Sequence, residues 1–105
     1  MTLIHFEEQD PKKLIKSQRA EILNHFKHTC VYCKSKTKHM TIDHVIPIKY
    51  GGSERTSNKV TACRSCNLDK AHEPWIPWYR RQSFYDAVTE VFIKEWIDVE
   101  LREAS

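Results

Sequence analysis

Cys30 and Cys33 in CVYC, with Cys63 and Cys66 in CRSC, place four thiols in two C-x-x-C pairs. Two such pairs supply the tetrahedral set of thiolates that a closed, structural Zn²⁺ site requires, with no position left open for substrate. Residues 34 to 62 separate them, a stretch of 29, longer than the roughly 15 to 20 of a simple zinc ribbon. Something sizeable is therefore inserted within the clamp. Disulfide pairing and a redox C-x-x-C are the competing readings. The first suits an oxidising compartment, and the second usually opens a βαβ unit, which neither pair does here.

The insert contains IDHVIPIKYGG, residues 42 to 52. Cleaving a phosphodiester needs an activated water, charge stabilisation at the scissile phosphate and help for the departing oxygen, which a neutral histidine and a divalent cation can supply together. Asp43 is a hard oxygen ligand suited to Mg²⁺ or Mn²⁺, and His44 carries an imidazole, the side chain most often used as a general base. Asn67 can add a second oxygen. Neighbouring residues on a regular strand point to opposite faces, so for Asp43 and His44 to share a site the strand must distort or end there. Pro47 and the Gly51-Gly52 pair make such a break plausible, and Asn58 can hold the loop through side-chain bonds to backbone. Taken singly, each of these residues reads more simply as a surface, turn or cap residue.

Several elements must position these groups. Asp10-Pro11 marks a helix start, and Leu14, Ile15, Ile22, Leu23 and Phe26 recur at helical spacing to about Lys27. Residues 39 to 46 form a strand-like run that Pro47 ends, and a second strand is expected near Lys59 to Ala62. From Cys63 to about His72 nothing breaks a short helix before Pro74. The segment EPWIPWYRRQ, with two prolines, reads as an irregular link packed over the core. Ser83 can cap a final helix, Phe84 to about Arg102. Its stripe of Tyr85, Val88, Val91, Phe92, Trp96, Ile97 and Val99 is broad enough to pack the core and also to offer a partner or self-association surface.

With 105 residues the chain fits one domain of modest core. No apolar run approaches the roughly 20 residues of a membrane-spanning helix. The first ten residues lack the features of a secretory signal, so a cytoplasmic, intracellular setting is expected, in which paired cysteines bind metal. The net charge of +3 conceals an asymmetry: residues 11 to 70 hold thirteen Lys/Arg against four Asp/Glu, whereas both ends are acidic. That basic middle suits a polyanion, or else is a solvated lysine-rich face.

CVYC, TIDHVIPIKYGG and SNKVTACRSCNLDK together resemble the HNH endonuclease family in its zinc-stapled form, over roughly residues 19 to 72. The resemblance implies a small α+β fold: a ββα-metal core with structural zinc, flanked by N-terminal and C-terminal helices. It implies that His44 is the general base, that Asp43 and Asn67 ligate a catalytic Mg²⁺ or Mn²⁺, and that Asn58 fixes the loop and orients His44. Hydrolysis in such enzymes leaves a 5′-phosphate and a 3′-hydroxyl. Asn67 stands where a histidine is often found, an HNN-type variant, and an Asp/Asn pair favours Mg²⁺ or Mn²⁺ over softer ions. The expected organisation is a single nuclease domain over residues 1 to 105, with its core motif at about 28 to 72 and a helical extension at about 83 to 103. Double-stranded DNA is the expected partner, with Arg64 and Lys70 as candidate phosphate contacts. The arginines of WYRRQ can touch a DNA backbone, although core packing of Trp78 and Tyr79 is favoured. The rivals are a non-catalytic zinc module that binds nucleic acid and a protein-interaction module using the last helix.

Overall fold

A computed structural model describes residues 11–103 of the chain. Helix α1 spans Pro11–His25, with proline in its first turn, where no backbone donor is required. The expected cap Asp10 and the side chain of Leu14 lie outside the described residues. Of the remaining apolar set Ile22 is buried and Leu23 and Phe26 pack against the core, whereas Ile15 stays exposed. The helix ends where Lys27 and His28 both take positive φ, and the His28 amide donates back to the Leu23 carbonyl at 2.8 Å.

Two antiparallel strands form the sheet: β1, Met40–His44, and β2, Lys59–Cys63, with Met40 opposite Cys63 and His44 opposite Lys59. Every residue of β2 is buried. One edge of β2 pairs with β1, and on the other side Thr61 accepts the amide of Val31 at 2.9 Å, which joins the first cysteine turn to the sheet. Helix α1 covers the same strand, where the Thr61 hydroxyl donates to the Ile22 carbonyl.

Helix α2, Arg64–Lys70, starts directly from β2, with the Cys63 sulfur accepting the Cys66 amide as its cap. Helix α3, Trp75–Arg80, occupies the segment expected to be irregular. Its prolines do not break it. Pro74 is the N-cap and Pro77 lies in the first turn, where backbone N–H groups have no intrahelical partner to lose. The C-terminal part also departs from expectation. It is two helices, α4 (Ala87–Trp96) and α5 (Asp98–Glu103), and α4 is capped by Asp86 rather than Ser83, with Asp86 Oδ1 accepting the Val88 amide at 3.1 Å. Ile97, fully buried, sits at the break as the C-cap of α4, with φ −92° and ψ 11°.

The core is built from Tyr32, Val45, Val60, Ala62, Trp75, Trp78, Tyr79, Ile93 and Ile97. Glu90, buried on α4, accepts both Arg80 nitrogens at 2.8 and 2.7 Å and the Tyr85 hydroxyl at 2.9 Å, fastening α4 to α3. These charge-assisted bonds, led by that from Arg80, hold the Glu90 carboxyl well below the usual carboxylate range. Arg81 is likewise paired with Glu73, and Trp78 and Tyr79 are buried. Trp78 and Tyr79 of WYRRQ thus pack the core, while Arg80 and Arg81 stay at the surface in ion pairs. Part of the C-terminal stripe remains on the surface, at Val88, Val91 and Phe92. No described helix is long and apolar enough to cross a membrane.

Candidate functional site

The sequence brings the four cysteines to one point because each pair sits at a turn anchored on β2. Residues 30–33 flank Val31, which bonds to Thr61, while Cys63 ends β2 and Cys66 lies one turn into α2. Their sulfurs all lie within 4.8 Å of one another, and Cys33 Sγ is 3.7 Å from Cys63 Sγ. A tetrahedron with Zn–S of roughly 2.3 Å has an edge of about 3.8 Å, so the donors fit zinc. No disulfide forms; all four are free thiols. The amides of Cys33 and Cys66 point at the sulfurs of Cys30 and Cys63, at 3.5 and 3.4 Å, which favours thiolate. Burial pushes the Cys66 thiol up, with the neighbouring thiols adding to it, and burial raises Cys30 as well. Burial also opposes ionisation of Cys33, but bonds from Ser35 and the adjacent sulfurs bring it down to about 7. Four thiolates this close need a cation between them, which is what a structural zinc supplies.

The second centre lies between the end of β1, the following loop and α2. A cleft of about 450 Å³ is lined by Asp43, His44, Lys49, Asn67 and His72, among others. Asp43, His44 and Asn67 therefore share one cleft. The strand does not distort: the ladder stays regular to His44 opposite Lys59 and ends there.

Asp43 is turned inward and almost wholly buried. Its Oδ2 accepts the Tyr32 hydroxyl at 2.6 Å, and the Lys70 ammonium lies 3.3 Å from each carboxylate oxygen. Burial raises the Asp43 carboxyl above its usual range, against the opposing pull of Lys70 and Tyr32. His44, about one-third exposed at 32%, has Nε2 2.9 Å from Oε1 of Glu54, whose side chain is 73% exposed. The bond to His44, followed by that to Lys59, lowers the Glu54 carboxyl. Asn67 commits its amide nitrogen to β1, donating to Thr41 Oγ1 at 2.8 Å and more weakly to the Ile42 carbonyl at 3.4 Å.

The loop after His44 is closed by one side chain. Asn58 is fully buried; its oxygen accepts the Ile46 amide at 2.9 Å, and its nitrogen donates to the carbonyls of Ile46 (3.0 Å) and Ser53 (2.9 Å). Gly51 takes φ 94° as the loop turns. At Gly52 a Cβ would overlap the Ile46 carbonyl oxygen and lie 2.7 Å from Asn58 Nδ2, so that position admits only glycine.

Two candidate phosphate contacts fare differently. Arg64 is exposed on α2, beside His39 in a shallow groove. Lys70 has no exposed surface, because its ammonium is drawn inward to the Asp43 carboxylate and the His44 carbonyl (3.1 Å). It is a buried partner of Asp43 rather than an outward contact. Tyr32 and Glu54 were absent from the sequence-derived site. The tyrosine inside CVYC was a visible signal, whereas nothing marked an exposed loop glutamate.

The family model described as HNH endonuclease matches residues 30–73. Among solved structures, the Type II-C Cas9 enzyme from Actinomyces naeslundii is similar with a TM-score of 0.58 and 19% identity. That likeness covers 81% of this chain and 12% of the Cas9 chain, and it is a likeness of fold. No curated protein matches.

Proposed function

We propose, on the premise that residues 30–73 are a segment of the HNH endonuclease family, that the chain is a metal-dependent endonuclease hydrolysing phosphodiester bonds of double-stranded DNA. The observation that carries this reading is the shared cleft: Asp43, His44 and Asn67 line one open space beneath the loop that Asn58 closes. Residues 1–105 are read as a single nuclease domain, with its core at about 28–72 and a helical extension at about 83–103, in an intracellular setting. The exposed part of the C-terminal stripe is read as a surface for self-association or for a protein partner.

His44 is the general base. Glu54, an acceptor, engages Nε2, so a neutral imidazole carries its proton there and leaves Nδ1 free to take one from water. Asn58 fixes the loop and, through it, the setting of His44. The Asp43 carboxylate and the Asn67 carbonyl oxygen, opposite the nitrogen committed to β1, are the hard donors for Mg²⁺ or Mn²⁺. A divalent cation, when bound there, supplies charge stabilisation at the scissile phosphate and the departing oxygen. Attack by water on phosphorus and rupture of the bond to the 3′-oxygen leave a 5′-phosphate and a 3′-hydroxyl. The sulfurs of Cys30, Cys33, Cys63 and Cys66 hold zinc as a staple, outside the chemistry. Lys49, exposed at the cleft rim, and Arg64, exposed on α2 in a separate shallow groove, are the candidate contacts to backbone phosphates.

One observation favours the rival, a non-catalytic zinc module: Lys70 already neutralises Asp43, as it would a carboxylate that never meets a metal. Incubating supercoiled plasmid with zinc-loaded protein, with and without Mg²⁺ or Mn²⁺, separates the two. The nuclease reading expects cation-dependent nicks that DNA ligase reseals, since ligation requires a 5′-phosphate beside a 3′-hydroxyl. Binding that weakens steeply with salt but leaves plasmid intact supports the rival.

A further inference from the structure

Tyr32 lies between two zinc ligands, Cys30 and Cys33, yet its hydroxyl reaches out of that turn and donates to Asp43 Oδ2 at 2.6 Å. The ring is fully buried and fixed on several sides. Trp78 meets it edge-on with centroids 5.0 Å apart, and Tyr79 lies tilted at 5.7 Å. Trp78 is itself tied by its indole N–H to Asp69 on α2 at 2.8 Å. The hydroxyl thus comes from a framework that the zinc turn, α2 and α3 hold together. The Lys70 ammonium stands 3.3 Å from both carboxylate oxygens. Contacting both alike, it selects no rotation of the carboxylate, whereas the Tyr32 hydroxyl engages Oδ2 alone and fixes one.

We propose that Tyr32 is a positioning residue that sets the affinity of the cleft for its divalent cation, by holding Asp43 Oδ2 from the zinc turn and so fixing the rotation of the carboxylate. This rests on the reading of Asp43 as a cation ligand. A ligating carboxylate is itself oriented by hydrogen bonds, and losing such a partner typically lowers metal affinity by roughly 10- to 100-fold. Through this bond the structural metal site and the catalytic cleft are one mechanical unit: the residue between two cysteine ligands carries the placement of the acid.

The test is Mn²⁺ titration of the zinc-loaded full chain, followed by electron paramagnetic resonance in the absence of DNA. Four proteins are compared: wild type, Tyr32→Phe, Tyr32→p-aminophenylalanine and Asp43→Asn. Tyr32→Phe keeps the ring and removes the donor, so zinc content should stay near wild type and the melting temperature should fall without loss of the fold, while Mn²⁺ affinity falls by roughly tenfold or more. The p-amino group restores a donor at the same place, and affinity should return toward wild type. Equal affinity in wild type and Tyr32→Phe, with loss in Asp43→Asn, overturns the role of Tyr32 and leaves the cation site intact. Equal weakening in the Phe and p-amino variants also overturns it, since the residue would then act only through packing. Failure of the wild type itself to bind Mn²⁺ above Asp43→Asn removes the cation site, and the inference with it.

Discussion

Lys70 and Asp43 form an ion pair at 3.3 Å in which the lysine has no exposed surface and the aspartate almost none. Removing one partner of such a pair leaves an uncompensated buried charge, at a cost of roughly 3–5 kcal/mol. Lys70→Met should therefore lower the stability of the zinc-loaded protein by about that amount in urea titration. Added Mg²⁺ should stabilise both proteins, because a cation bound to the folded state alone stabilises it, and should stabilise this variant more, since no ammonium competes there for Asp43.

Asn58 and Gly52 support the same loop from two directions. Asn58→Ala deletes three hydrogen bonds and leaves the Ile46 amide and carbonyl inside without that partner, a loss of about 2–4 kcal/mol by chemical denaturation. Gly52→Ala must displace the Ile46 carbonyl and should also loosen the loop, seen as faster amide exchange at Ile46.

The bond from Glu54 to His44 sits at the surface, where screening weakens it. Glu54→Gln should slow cleavage by less than about tenfold and more at low salt than at high, whereas loss of the base itself costs roughly 10²- to 10⁴-fold. A rate in Glu54→Gln as low as that of a His44 variant would contradict the division of roles.

Glu90 gives the fold a definite pH dependence. Its carboxyl is held below the ordinary range in the folded state, so its contribution is fully present above the unfolded value of about 4.3 and is lost as pH falls from there toward the folded value. The melting temperature of Glu90→Gln should lie below that of wild type by a constant gap from about pH 8 to 5, and the gap should narrow below pH 4.5. Because both proteins lose zinc alike in acid, the difference between them isolates Glu90.

Zinc removal should loosen the whole fold, since the cysteine turns anchor β2 and begin α2. Treating the protein with a zinc-selective chelator should collapse the far-ultraviolet circular dichroism of α2 and the hairpin, and restoring zinc should recover it; an unchanged spectrum would reduce the metal to an ornament.

The paired cysteines, the Asp43-His44 step, the proline and the Asn58 and Asn67 positions were readable in the sequence because each depends on residue type at short spacing. The second strand, expected near 59–62 and found at 59–63, follows the same local logic. What escaped was set by distant contacts. A lysine is ordinarily exposed, and only the fold shows that Lys70 turns inward to residues 26 and 27 positions earlier. Tyr32 and Asp43 meet across a turn whose shape depends on four converging sulfurs. The prolines of the 74–80 segment read as breakers, yet both fall where a helix start tolerates them. No residue type announces the break at Ile97, which carries neither glycine nor proline.

In the proposed function His44 does the chemistry within a cleft the zinc-stapled fold assembles. The most direct test of that role is single-turnover cleavage of plasmid DNA with Mn²⁺, comparing wild type with a His44→Ala variant of equal zinc content. Equal DNA binding and a rate reduced by roughly 10²- to 10⁴-fold in the variant are expected. Equal rates in the two proteins, or no cleavage by either, would contradict that role.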